Sequence, residues 1–139
     1  MLVMPQTSDI MIYDDERTCL KTISEMIKNH YSFHSIKTED NIFSMKFDLA
    51  INRPKLLILD YKYEGNLNLN YVMPTLKKFK GVCIIYSCLS KEHILSEIGD
   101  LPHNFYFVQK GNVGGLRNLL DRFIPACRSN TKKVDCLVN

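Results

Sequence analysis

The stretch Leu56-Leu57-Ile58-Leu59-Asp60 decides the fold. Four apolar residues follow one another without alternation, just after Pro54-Lys55, and stop at an acid. A short unalternating run of this kind fits a strand buried on both faces, as in a parallel sheet covered by helices on either side. The same pattern, an apolar run ending in a polar residue, recurs along the chain. Ile10-Met11-Ile12-Tyr13 ends in Asp14-Asp15-Glu16, Val82-Cys83-Ile84-Ile85-Tyr86 ends at Ser87, and Phe105 to Val108 leads into Gln109-Lys110-Gly111. A weaker strand is expected over Phe33 to Lys37.

Between these runs the apolar period lengthens to that of a helix. Leu20, Ile23, Met26 and Ile27 mark the first helix, with the acids 14 to 16 at its favourable positive end. A second helix is expected through Ile42, Phe43, Met45, Phe47 and Leu49. Tyr61 to Asn70 is polar, contains Gly65 and reads as a loop. Pro74 then belongs in the first turn of a short helix through Leu76 and Phe79, since inside a helix it would cost about 3 kcal/mol. Gly81 is expected to stop that helix. The fourth helix covers Glu92 to Ile98 and stops at Gly99, and the last runs from Val113 to Pro125. Five strands alternating with five helices give an α/β, doubly wound, flavodoxin-like (βα)5 fold with a five-stranded parallel sheet. The domain is expected over 1–125, with 126–139 a flexible tail or the start of a linker.

Composition narrows the function. The chain has 139 residues, enough for one domain with one core. A net charge of +3, with no arginine-rich stripe, is too small to argue for nucleic acid as a partner. No apolar run approaches a membrane span, and residues 1 to 9 lack the basic start and apolar stretch of a signal peptide. The five cysteines form no CxxC pair and read as free thiols of a reduced, cytoplasmic chain. The four histidines have no metal-ligand spacing.

In a doubly wound sheet, ligands gather at the carboxyl ends of the strands. Asp14-Asp15, Asp60, Ser87 and Lys110 all fall there. Three carboxylates brought together repel one another unless a cation joins them. Mg²⁺ suits such a site, being hard, oxygen-seeking and a partner of phosphate oxygens. A lysine opposite the acids supplies a point charge, and a serine supplies a neutral hydroxyl donor. Phosphoryl transfer needs alignment and charge neutralisation above all, and this set offers both.

In its ordered series Asp14-Asp15-Glu16, Asp60, Ser87 and Lys110, and in the intervals between them, the chain resembles the bacterial two-component response regulator receiver domain (CheY-like) from Ile10 to about Phe123. The resemblance implies that Asp60 accepts a phosphoryl group from a sensor histidine kinase or phosphotransfer protein. It implies Mg²⁺ held by Asp14, Asp15, Asp60 and the backbone carbonyl of Lys62. Ser87 would be the switch hydroxyl, Lys110 the phosphoryl-holding cation and Phe107 the switch aromatic. The output would be a changed partner surface or a homodimer, regulating transcription, with no direct DNA binding by this segment and no membrane contact. Receivers usually follow the lysine with proline. Here Gly111 stands instead, and Lys110-Gly111-Asn112-Val113 looks like receivers of LuxR-type transcription regulators. The loop after Asp60 also departs from the family, reading Tyr61-Lys62-Tyr63-Glu64-Gly65. These departures leave a second reading, a phosphorylation-independent pseudo-receiver acting as a protein-interaction module. An aspartyl phosphatase of the haloacid dehalogenase type is disfavoured, because its second aspartate would fall at Lys62. On this reading the chain is a signalling domain and not a metabolic enzyme.

Overall fold

A computed structural model describes residues 9–31, 35–61 and 66–127, with the backbone alone at 66–70 and 125–127. The elements alternate strictly: β1 (Ile10–Tyr13), α1 (Arg17–His30), β2 (Ile36–Glu39), α2 (Ile42–Asn52), β3 (Leu56–Leu59), α3 (Asn66–Lys77), β4 (Val82–Ser87), α4 (Lys91–Ile98), β5 (Phe105–Gln109) and α5 (Val113–Cys127). The strands form one sheet in the order β2-β1-β3-β4-β5, every pair parallel. This is the flavodoxin-like arrangement, whose switch point lies between β1 and β3.

The unalternating runs are explained by what covers each face. Successive strand side chains point to opposite sides. Met11, Leu57, Leu59, Cys83 and Ile85 pack under α2, α3 and α4, through Met45, Leu49, Leu76 and Ile94. Ile10, Ile12, Leu56, Ile58 and Ile84 pack under α1 and α5, through Ile23, Ile27, Leu116 and Leu120. Both faces of β3 are therefore dry, and Leu56 to Leu59 are each at most 1% exposed. Among the described residues no helix is long and apolar enough to cross a membrane.

Several boundaries differ from expectation for identifiable reasons. The second strand lies at Ile36–Glu39, not at Phe33 to Lys37. It is an edge strand with one apolar residue, so it has no run by which to be recognised, and Phe33 lies outside the described residues. Helix α3 begins at Asn66, inside the stretch read as loop, so Pro74 sits within it and not in its first turn. The break in the ladder falls near the helix end, since α3 closes at Lys77. Gly81 is not the stop of that helix. A Cβ there would meet the Lys55 carbonyl oxygen at 2.5 Å and the Phe79 ring at 2.7 Å, so glycine is what lets β4 start beside β3. Gly99 does end α4, with φ of 76°. Helix α2 is capped at its start by the Asn41 side chain, which accepts from the Phe43 and Ser44 amides, and closes on Arg53 in the left-handed region. In α2 the residues Ile42, Met45 and Leu49 face the core, while Phe43 and Phe47, read as part of the same apolar face, point outward.

Candidate functional site

The first acid is fixed by three separate contacts. Asp14 leaves β1 with its amide donating to the Glu39 carbonyl at 3.1 Å, which locks it against β2. Its Oδ1 accepts from the Glu16 amide at 2.9 Å, at the mouth of α1. Its Oδ2 accepts from Lys110 Nζ at 2.9 Å. Asp60 leaves β3 with its amide donating to the Tyr13 carbonyl, at the next rung of the same pair. Its Oδ1 lies 3.2 Å from Lys110 Nζ. Asp14 and Asp60 are buried, 1% and 6% exposed, whereas Asp15 is exposed. One carboxylate oxygen from each of the three acids lies within 4.8 Å of the others.

Lys110 reaches this pair from the far side of the sheet. It follows β5, and its amide donates to the Ser87 carbonyl at 2.7 Å. Burial alone would lower its pKa, but the hydrogen bond it donates to Asp14 and then the charges of Asp60 and Asp14 prevail, and the ammonium is held well above the ordinary lysine range. It stays charged throughout the neutral range. Gly111 follows in a left-handed conformation, φ 97°, which proline cannot adopt because its ring fixes φ near −65°. The departure from the family's usual proline therefore has a backbone reason.

Ser87 ends β4 almost fully buried. Its hydroxyl donates to the Tyr61 carbonyl at 2.6 Å and accepts from the Leu89 amide at 3.0 Å, so it bridges the exit of β3 to the loop before α4. Phe107 lies on β5 opposite Ile85, partly buried against the α2–α3–α4 side, with the Lys91 ammonium 5.5 Å from its ring centroid. Lys62, read as a carbonyl ligand, lies outside the described residues.

Reading the sequence missed Tyr61. Assigned to a polar loop, it is 1% exposed and its hydroxyl hydrogen-bonds the Glu97 carboxylate of α4. Burial first, then the bond to Glu97 and its charge, pushes the phenol far above its usual pKa. The available signal was its place two residues beyond an apolar run, just after Asp60, where an aromatic body with a polar tip can still be buried.

The donor chemistry fits a small hard dication. Three carboxylates from two strand ends come together, two of them on one ammonium, and all the donors are oxygens.

No family model matches the chain, and no curated protein matches it. Solved structures do. The signal receiver domain of a protein described as a Luxo repressor from Vibrio parahaemolyticus aligns with a TM-score of 0.65 at 16% identity, covering 96% of this chain and 98% of that one. The N-terminal signal receiver domain of a two-component system response regulator from Bacteroides fragilis gives 0.63 at 20% identity, covering 89% and 99%. The N-terminal domain of an uncharacterized protein (WS1339) from Wolinella succinogenes gives 0.63 at 19%, covering 86% and 96%. These are likenesses of shape across almost the whole of each partner, and the fold of this chain is that of the CheY-like signal receiver domain.

Proposed function

We propose that the chain is a phospho-accepting receiver of a two-component system, with Asp60 as the acceptor. The observation that carries the reading is the buried pair Asp14–Asp60, bound by one lysine ammonium at the carboxyl edge of the sheet. A carboxylate oxygen of Asp60 attacks the phosphorus of a phosphohistidine on a sensor kinase or phosphotransfer protein. The phosphorus–nitrogen bond breaks, the imidazole leaves with the electron pair, and an acyl phosphate remains on Asp60. Mg²⁺ would be held by Asp14, Asp15, Asp60 and the carbonyl of Lys62, and when bound it supplies charge neutralisation for the phosphoryl oxygens. Lys110 moves from pairing two carboxylates to pairing one carboxylate and the phosphoryl group. Ser87 gives up the Tyr61 carbonyl and donates to a phosphoryl oxygen instead.

That exchange is the switch. The Tyr61 carbonyl and the Leu89 amide both lose the partner they share in Ser87, so the β3 exit and the loop before α4 are released together. Phe107 follows by repacking. The output is a changed partner surface or a homodimer, in a cytoplasmic regulator of transcription of the LuxR type. The chain acts as a signalling domain and carries no metabolic turnover.

Incubation with acetyl phosphate and Mg²⁺, followed by intact-mass measurement, tests this. The expected result is the gain of one phosphate, abolished by Asp60→Asn. A parent protein that takes up no phosphate would transfer the reading to a phosphorylation-independent interaction module.

A further inference from the structure

A second cavity is lined by β2 and α2; it shares no lining residue with the acid pair, although the Asp14 amide bonds the backbone carbonyl of Glu39. An open cavity of about 490 Å³ is lined by Lys37, Glu39, Phe43, Ser44, Phe47 and Asp48. Glu39 is the unusual member. It is only 8% exposed, yet among the described residues its Oε2 has no hydrogen-bond partner. Buried carboxylate oxygens are nearly always paired, because losing water without replacement is costly. The one ammonium among the described lining residues, Lys37, pairs with Asp48 at 3.6 Å. Among the described lining residues two carboxylates face one ammonium, so Glu39 in its ionised form carries a negative charge that an incoming cation can pair.

The walls say what kind of cation completes it. Phe43 and Phe47 are 55% and 66% exposed, a wasteful placement for large apolar side chains unless something covers them. They stand one helical turn apart on α2, so their rings flank the same opening. The patch already holds one such contact: Lys46 Nζ lies 3.7 Å over the centroid of Tyr71, whose ring packs against Phe43 at 5.1 Å. Aromatic walls offer a metal ion no ligand, and one of the two carboxylates in the cavity is already paired with Lys37. A guanidinium or alkylammonium group uses both features, a carboxylate at its charged end and ring faces along its sides.

We infer that this cavity binds a monovalent organic cation, a guanidinium or alkylammonium group, with Glu39 as its counter-ion and Phe43 and Phe47 as its walls. The site involves none of the acids of the proposed phosphorylation centre and stands or falls separately from it.

Amide chemical shifts of the whole isotope-labelled chain, at fixed ionic strength, provide the test. The probes are methylguanidinium chloride, butylammonium chloride and a short peptide carrying one arginine. Saturable shifts at residues 39, 43, 44, 47 and 48 are expected. Binding by the free cations identifies a small-molecule ligand, and binding by the peptide alone identifies a side chain presented by a partner protein. Glu39→Gln, which keeps the shape and removes the charge, should weaken binding by about tenfold or more. Phe47→Ala, at an exposed position that should not disturb folding, should weaken it about fivefold. If none of the three probes gives saturable shifts, or Glu39→Gln binds as well as the parent, the inference is wrong. Mg²⁺ should move residues 14, 15 and 60 without competing for this cavity; competition by Mg²⁺ would also overturn it.

Discussion

Lys110 is the residue on which the acid pair depends, because its single ammonium touches both buried carboxylates. Truncation by Lys110→Ala leaves two like charges facing each other with little water. The expected loss is on the order of 3 kcal/mol in urea unfolding without Mg²⁺. Millimolar Mg²⁺ should recover part of it, since the same charges are then neutralised by another cation. The pH dependence has a definite sign. The folded pKa of Lys110 is raised, so its stabilising contribution is complete below the unfolded lysine value, about 10.4, and fades only as pH climbs past it. Stability attributable to Lys110, measured as the parent-minus-variant difference, should be flat across the neutral range and fall only in strong alkali. Gly111→Ala forces a side chain into a left-handed backbone and should cost about 1 kcal/mol by the same measurement.

At the scale of elements, helices are tied to one another by phenols as well as by packing. Tyr31, at the end of α1, donates to the Asp121 carboxylate of α5. Burial first, then that bond and charge, pushes its pKa up to about 12. A raised phenol pKa means that the stabilisation is intact below about pH 10, where unfolded tyrosine ionises, and is lost as pH rises through 12. Tyr31→Phe should therefore cost about 1 kcal/mol at neutral pH, with the gap to the parent closing between pH 10 and 12 in thermal melts. Between strands, Gly81→Ala should cost about 2 kcal/mol, because the Lys55 carbonyl that blocks the new methyl is backbone and cannot swing aside. The elements differ in how plainly the sequence announces them. β3 and β4 are legible because both faces are covered and their runs are unbroken. The edge strand β2 carries Lys37, Thr38 and Glu39 in its four residues, and polar residues there look like loop until pairing with β1 is known. The acids, Ser87 and Lys110 were readable because a strand end fixes where a side chain goes. Glu39 was not readable, since its lack of a partner among the described residues is a property of the tertiary surroundings and of no local pattern. Phe43 and Phe47 satisfied a helical apolar period in sequence while facing away from the core.

For the molecule as a whole, the sheet divides the core in two and the central strands serve both halves. Ile84 is fully buried on the α1–α5 side, and Ile84→Ala should cost about 3 kcal/mol with the cooperativity of denaturant unfolding retained. Every strand pair is parallel, and this governs how the chain reaches its native form. A parallel pair cannot be closed by a hairpin, so no two strands can meet until the helix between them has been spanned. Ile10 pairs with Leu56 across both α1 and α2. Such distant closures carry an entropic penalty before any contact repays it, which slows folding relative to helical bundles of similar length. During synthesis β1 must wait, unpaired on its inner side, until the ribosome has released residue 59, and that interval is when its apolar run is open to the wrong company.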